Sequence, residues 1–113
     1  MRFKRGDVVL VRFPYADLVR WGKRPALVVQ DETAQTELGH YILAQITSTQ
    51  RGGPGRVAVA KDSDIGRTMG LMMDSTILLD ILQSTEQSLI EKRIGICPEM
   101  EVVDKALRWL LAI

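Results

Sequence analysis

Gly22-Lys23-Arg24-Pro25-Ala26-Leu27-Val28-Val29-Gln30 sets two cations at the lip of an apolar run. Residues 26–30 read as a strand, with Pro25 expected at its first position, where a missing N–H costs no ladder bond. The residue before a proline is pushed toward extended φ/ψ, so Arg24 is expected to be held in one direction. A rigidly presented guanidinium suits bidentate recognition of a phosphate or a carboxylate. Two readings follow from these residues alone: Arg24 grips the anion of a ligand, or it closes a structural ion pair.

The β signal repeats on both sides. Residues 7–13 are rich in β-branched side chains and end at Pro14. Residues 15–23 then read as a long loop carrying Arg20, Trp21 and Lys23. Downstream, a polar loop (31–39) leads to a third strand over 41–47, and the Gly- and Pro-rich segment 48–55 is a flexible loop. Residues 56–60 alternate as a fourth strand, and 75–82 form a longer central strand followed by turn residues. The period then changes. Met100, Val103, Leu107, Leu110 and Leu111 fall at helical spacing, with Pro98 expected at the first helical position. Glu99 and Glu101 near the start, with Lys105 and Arg108 toward the end, complement the helix dipole. The fold class is therefore mainly β with a C-terminal helix. Such a pattern suggests one domain over 1–113, a small, strongly bent antiparallel barrel or half-barrel.

A chain of 113 residues, 46% apolar, can bury one core without staples. The apolar run 71–82 is broken by Asp74 and Asp80, so no membrane span is expected. The basic N-terminus has no apolar stretch behind it, which argues against a secretory signal and for a cytoplasmic protein. Cys97 is the only cysteine and His40 the only histidine, so no intrachain disulfide, zinc site or other cofactor is expected. The net charge of +1 hides a split. Residues 1–61 hold ten Lys/Arg and five Asp/Glu, whereas 62–113 hold five and nine. A basic front half either attracts phosphates or is simply a solvated surface.

Most catalytic patterns are missing. Gly52-Gly53-Pro54-Gly55 is not followed by the Gly-Lys-Ser/Thr of a P-loop, and no Gly-x-Ser-x-Gly elbow or carboxylate cluster occurs. His40 is a lone histidine at a polar loop entry and reads as a surface residue. Cys97 precedes Pro98 at a helix start, where a thiolate can be stabilised, but with no base nearby it reads as a cap or core residue. What remains is Arg24 and the hydroxyl cluster Thr47-Ser48-Thr49 at the end of the third strand.

Arg5-Gly6-Asp7-Val8-Val9-Leu10-Val11, Arg24-Pro25-Ala26-Leu27-Val28-Val29 and Ala44-Gln45-Ile46-Thr47-Ser48 together resemble the PemK/MazF family of toxin endoribonucleases. The likeness continues through Asp74-Ser75-Thr76-Ile77-Leu78-Leu79-Asp80 and Val103-Asp104-Lys105-Ala106-Leu107. It covers nearly the whole chain, in order and with compatible spacing. The resemblance implies a compact SH3-like β-barrel of the PemK/MazF/CcdB type, a homodimer, and metal-independent cleavage of single-stranded RNA that inhibits translation and growth. It also implies a cognate antitoxin whose acidic extended segment occupies the RNA groove. The family's proposed catalytic pair falls on Arg24 and Thr47, with Ser48 as an adjacent candidate. Some family members carry a glutamate where this chain has Val19, and a glutamine where it has Ile81, with Gln83 two residues on.

The implied reaction uses the ribose 2′-hydroxyl as nucleophile, so DNA should survive. Arg24 can offer a forked pair of donors to the developing phosphorane, and Thr47 adds a hydroxyl. Arginine stays protonated, which makes Arg24 a charge stabiliser and proton donor and leaves the base unassigned. Arg20, Trp21 and Lys23, with Gln50, Arg51 and Gln83, are the candidate RNA contacts. Trp21 either stacks a base or sits at a dimer seam. Two other functions fit the same barrel: a gyrase-poisoning toxin, and a non-catalytic binding module in which Arg24 holds an internal carboxylate such as Asp80.

Overall fold

Val8 and Val9 are adjacent in the chain and both fully buried, although successive strand residues point to opposite faces. Their strand, β1 (Asp7–Pro14), must therefore be covered on both sides, which explains its near-continuous apolar run. The structure is a computed structural model that describes residues 2–14, 21–34 and 37–113. In chain order the further elements are β2 (Trp21–Val28), β3 (His40–Thr47), β4 (Arg56–Val59), α1 (Asp64–Met69), β5 (Ser75–Glu86), β6 (Ile90–Ile96) and α2 (Met100–Leu111).

The six strands form one antiparallel sheet in the order β4-β5-β3-β2-β1-β6. Among the described residues no ladder joins the edge strands β4 and β6, so the sheet is open and the expected closed barrel is not formed. A helix occupies the gap. α1 follows β4, and its last turn rests on β6, where a Cβ added to Gly95 would lie 2.3 Å from the Met69 carbonyl.

One face of the sheet packs Val8, Leu27, Ala44, Ile46, Ile77 and Leu79 against Met69 of α1 and Val103 and Ala106 of α2. The other face gathers Val9, Val11, Ala26, Val28, Leu43 and Ile90 around Phe3 and Tyr41, whose rings meet edge-on at 5.5 Å. Arg5 ties α2 down: its Nη2 reaches Asp104 Oδ1 at 2.5 Å while its Nε donates to the Val29 carbonyl at 2.8 Å. No helix of the described residues is long and apolar enough to cross a membrane.

Several expected boundaries shift. β2 begins at Trp21, so Pro25 lies inside the strand, opposite Leu10. β2 pairs with β3 only over Ala26–Val28, so Pro25 sits just past the last pair on that side, where a missing N–H costs least. β5 runs on to Glu86, because residues 79–81 form an irregularity rather than a stop: Gln45 faces Leu78, and Ala44 faces Leu82. Pro98 precedes α2 instead of opening it. Leu111, expected on the packed stripe, is 51% exposed.

Two elements lack a sequence reading altogether. α1 has a signal: Ser63 Oγ accepts from the Gly66 N–H at 2.9 Å, and Gly70 closes the helix at φ 74°. It is only six residues long, too short for periodicity to show. β6 hides behind Glu91-Lys92-Arg93, all exposed, as befits an edge strand.

Candidate functional site

The strand register brings distant residues to one surface. β1 lies between β2 and the edge strand β6: Val11 faces Arg24 of β2, and Leu10 lies between Pro25 of β2 and Lys92 of β6. The end of β3 places Thr47 opposite Thr76 of β5. Between these strands and the segment joining α1 to β5 lies a groove of about 610 Å³. Lys23, Arg24 and Lys92 supply its cations, and Thr47, Ser48, Thr49 and Ser75 its hydroxyls. Leu10, Leu71 and Ile94 give it apolar surface, and Met72 and Met73 also line it. Among the described residues no carboxylate lines it.

These cations differ in availability. Lys23 Nζ lies 2.9 Å from Glu91 Oε2, and the other Glu91 oxygen is 3.8 Å from Arg12 Nε. Lys92 makes no ion pair with any described residue. Thr47 Oγ1 accepts the Thr49 N–H at 3.2 Å, which folds the chain so that all three hydroxyl residues reach the groove. That bond uses a lone pair and leaves the Thr47 O–H able to donate.

The opposite rim is tied by bonds between side chains and backbone. The Ser75 hydroxyl donates to the Met73 carbonyl at 2.7 Å, and Asp74 accepts the Lys61 N–H at 3.0 Å. Gly70, in the left-handed region, lets this segment pass close to β6: a Cβ there would lie 2.2 Å from the Ile94 carbonyl oxygen.

Of the residues expected from sequence, Arg24, Thr47, Ser48 and Lys23 meet in the groove. Gln50 and Arg51 are exposed on the following loop, and neither lines it. Gln83 lies farther along β5, where its Oε1 accepts from Gln45 Nε2 at 3.2 Å. Arg20 and the side chain of Trp21 lie outside the described residues. Asp80, suggested as a structural partner for Arg24, is held by Arg56 through Nη2–Oδ2 at 2.9 Å and Nε–Oδ1 at 3.4 Å. That hydrogen bonding keeps the Asp80 carboxyl below the ordinary carboxylate range. Cys97 is buried within the core, and burial pushes its thiol up, so it serves packing rather than chemistry.

Lys92, Met72 and Met73 are the groove residues that sequence reasoning missed. A lysine within a charged triplet and a methionine pair before a strand carry no local pattern that marks a site.

The model of the PemK-like, MazF-like toxins of type II toxin–antitoxin systems matches residues 4–111. No curated protein matches the chain by sequence. Among solved structures, an endoribonuclease in complex with its cognate antitoxin from a mycobacterial species superposes with a TM-score of 0.76 at 18% identity, over 98% of this chain and 96% of that one. MazE–MazF of Deinococcus radiodurans gives a TM-score of 0.76 at 24% identity, over 100% and 98%. The Mycobacterium tuberculosis toxin MazF-mt6 gives 0.74 at 20%, over 95% and 97%. At these identities the structural likeness is one of fold.

Proposed function

The chain belongs to the PemK-like, MazF-like toxins of type II toxin–antitoxin systems, and from that premise we propose that it is a metal-independent endoribonuclease acting on single-stranded RNA. The observation that carries this reading is the meeting of Arg24 and Thr47 in a groove whose described lining holds Lys23, Arg24 and Lys92 and no carboxylate. A polyanion suits that surface, and a forked guanidinium beside a hydroxyl suits a phosphate whose charge grows in the transition state. Similar folds described as endoribonucleases support it at the level of the family.

In the reaction, the ribose 2′-oxygen attacks the adjacent phosphorus as the bond to the 5′-oxygen breaks. The products are a 2′,3′-cyclic phosphate and a free 5′-hydroxyl. Arg24 donates to the non-bridging oxygens, and Thr47 adds its O–H. A guanidinium is a donor and no base, so Arg24 serves as the fixed cation that stabilises charge, and the leaving 5′-oxygen takes its proton from water. The 2′-hydroxyl proton goes to solvent or to a group outside the described residues. Ser48 stands beside Thr47 as a supporting donor, and Lys23 and Lys92 hold flanking phosphates.

A cognate antitoxin is the natural second occupant. An extended acidic segment would meet the same cations and shut the RNA out, and solved relatives in complex with antitoxins support such a partner. In this reading the toxin is a cytoplasmic homodimer that slows growth by cutting mRNA. The test is direct. Purified full chain in excess EDTA is expected to cut a labelled RNA into fragments ending in cyclic phosphate, and to spare the DNA of the same sequence. Intact RNA under these conditions overturns the proposal.

A further inference from the structure

Met72 and Met73 are 88% and 60% exposed, and they stand on the rim of the groove that holds Arg24 and Thr47. Water-facing methionines cost solvation, and soft thioethers are characteristic of surfaces that receive apolar or aromatic partners. The rim that carries them is not slack. Gly70 brings it against β6, the Ser75 hydroxyl donates to the Met73 carbonyl, and the Asp74 carboxylate accepts the Lys61 N–H. Two polarisable side chains are thus presented from a segment tied at Gly70, Met73 and Asp74.

Single-stranded RNA normally lays its bases on aromatic rings or guanidinium planes. Among the described residues no aromatic side chain lines this groove, the side chain of Trp21 lying outside them. Its cations come from β2 and β6, whereas its most exposed apolar surface comes from the rim between α1 and β5. A nucleotide has the same division, with a charged phosphate at one end and a flat apolar face at the other. We infer that Met72 and Met73 form the base-contacting platform of the site, seating a nucleobase next to the phosphate gripped by Arg24. The inference rests on the ribonuclease reading, and it names single-stranded RNA rather than a peptide as the ligand that the methionines serve. Their selectivity would come from contact with the face of the base, so the platform favours large, polarisable bases over a missing one.

The experiment compares the parent chain, a Met72→Ala/Met73→Ala variant and a Met72→Leu/Met73→Leu variant. Both positions are exposed, so thermal melts of the three are expected to coincide. The substrates are an RNA that the parent cuts at one site and the same RNA with an abasic ribose at each position flanking the cut. The alanine variant is expected to raise KM about 10-fold, in the range known for loss of one stacked base, with kcat little changed. The leucine variant is expected to recover most of that loss. One abasic position that weakens the parent should leave the alanine variant unaffected. Unchanged KM, or an equal abasic penalty in parent and alanine variant, overturns the platform.

If the parent cuts no RNA, the ribonuclease reading fails by itself, and anisotropy binding of the same oligonucleotides decides the platform: loss of affinity in the alanine variant supports it, and equal affinity overturns it. A labelled peptide of alternating Glu and Leu is the contrasting probe. Affinity lost for that peptide alone, with RNA binding intact, overturns the assignment to a nucleobase.

Discussion

Arg24 and Lys92 divide the work of holding a phosphate chain, and their substitutions should separate cleanly. Arg24→Ala removes the forked donor aimed at the phosphorane, so kcat is expected to fall about 100- to 1000-fold, measured by cleavage of a labelled RNA at a temperature where the variant's own melt shows it folded. Arg24→Lys should restore only part of the rate, because an ammonium lacks the planar fork. Lys92 acts on binding. With no ion pair to any described residue, it is expected to lose more affinity on change to alanine than Lys23, whose charge is already engaged by Glu91. The salt dependence of RNA binding should also flatten in Lys92→Ala, by about 0.7 in log–log slope for one lost single-strand phosphate contact. An unchanged slope would remove Lys92 from the RNA path.

Elements are held in register by a few contacts that sequence periodicity does not describe. Gly95 is one, since the backbone of α1 occupies the space its side chain would need. Gly95→Ala is expected to cost about 1–3 kcal/mol of folding stability, as overpacking does, read from urea unfolding. The effect should also reach the groove rim, because α1 leads straight into Gly70 and Met72. The irregular stretch of β5 is another such contact. There Arg56 of β4 binds Asp80, and that bonding holds the carboxyl below its ordinary value. A depressed folded-state pKa means that the contribution is complete above the unfolded carboxylate value, near pH 4, and disappears as pH falls through the folded one. Melting temperature should therefore drop between pH 5 and pH 3 more steeply in the parent than in Asp80→Asn. Parallel pH profiles would show that the pair adds nothing to stability.

At the scale of the whole molecule the two-sided sheet makes Cys97 a reporter of global opening. It lies in the core, and burial raises its thiol above the ordinary range, so the native state keeps it neutral and shielded. A thiol reagent at pH 8 is expected to label the folded chain slowly, with a rate that rises in step with the unfolded fraction across a urea series. Fast labelling in native buffer would mean local opening around the start of α2. Because the unfolded thiol ionises first, stability should also decline as pH climbs past about 8.5.

Much of this architecture was legible in the chain. β-branched richness located β1, alternation located β4, and helical spacing located α2, because alternation and helical spacing record which side of an element meets the core. Arg24 before Pro25 and the hydroxyls after Ile46 marked half of the groove. β6 stayed hidden because an edge strand exposes its charged side chains, and α1 because six residues hold too few turns to show a stripe. By itself, then, the sequence determined the local backbone preferences, the mainly β class and the family resemblance. Only the tertiary structure decided that the sheet stays open between β4 and β6, that Arg56 rather than Arg24 takes Asp80, and that Lys92, Met72 and Met73 join Arg24 and Thr47 at one groove. The reason is physical: propensity and periodicity act over a few neighbouring residues, whereas strand order and side-chain convergence depend on contacts between segments far apart in the chain.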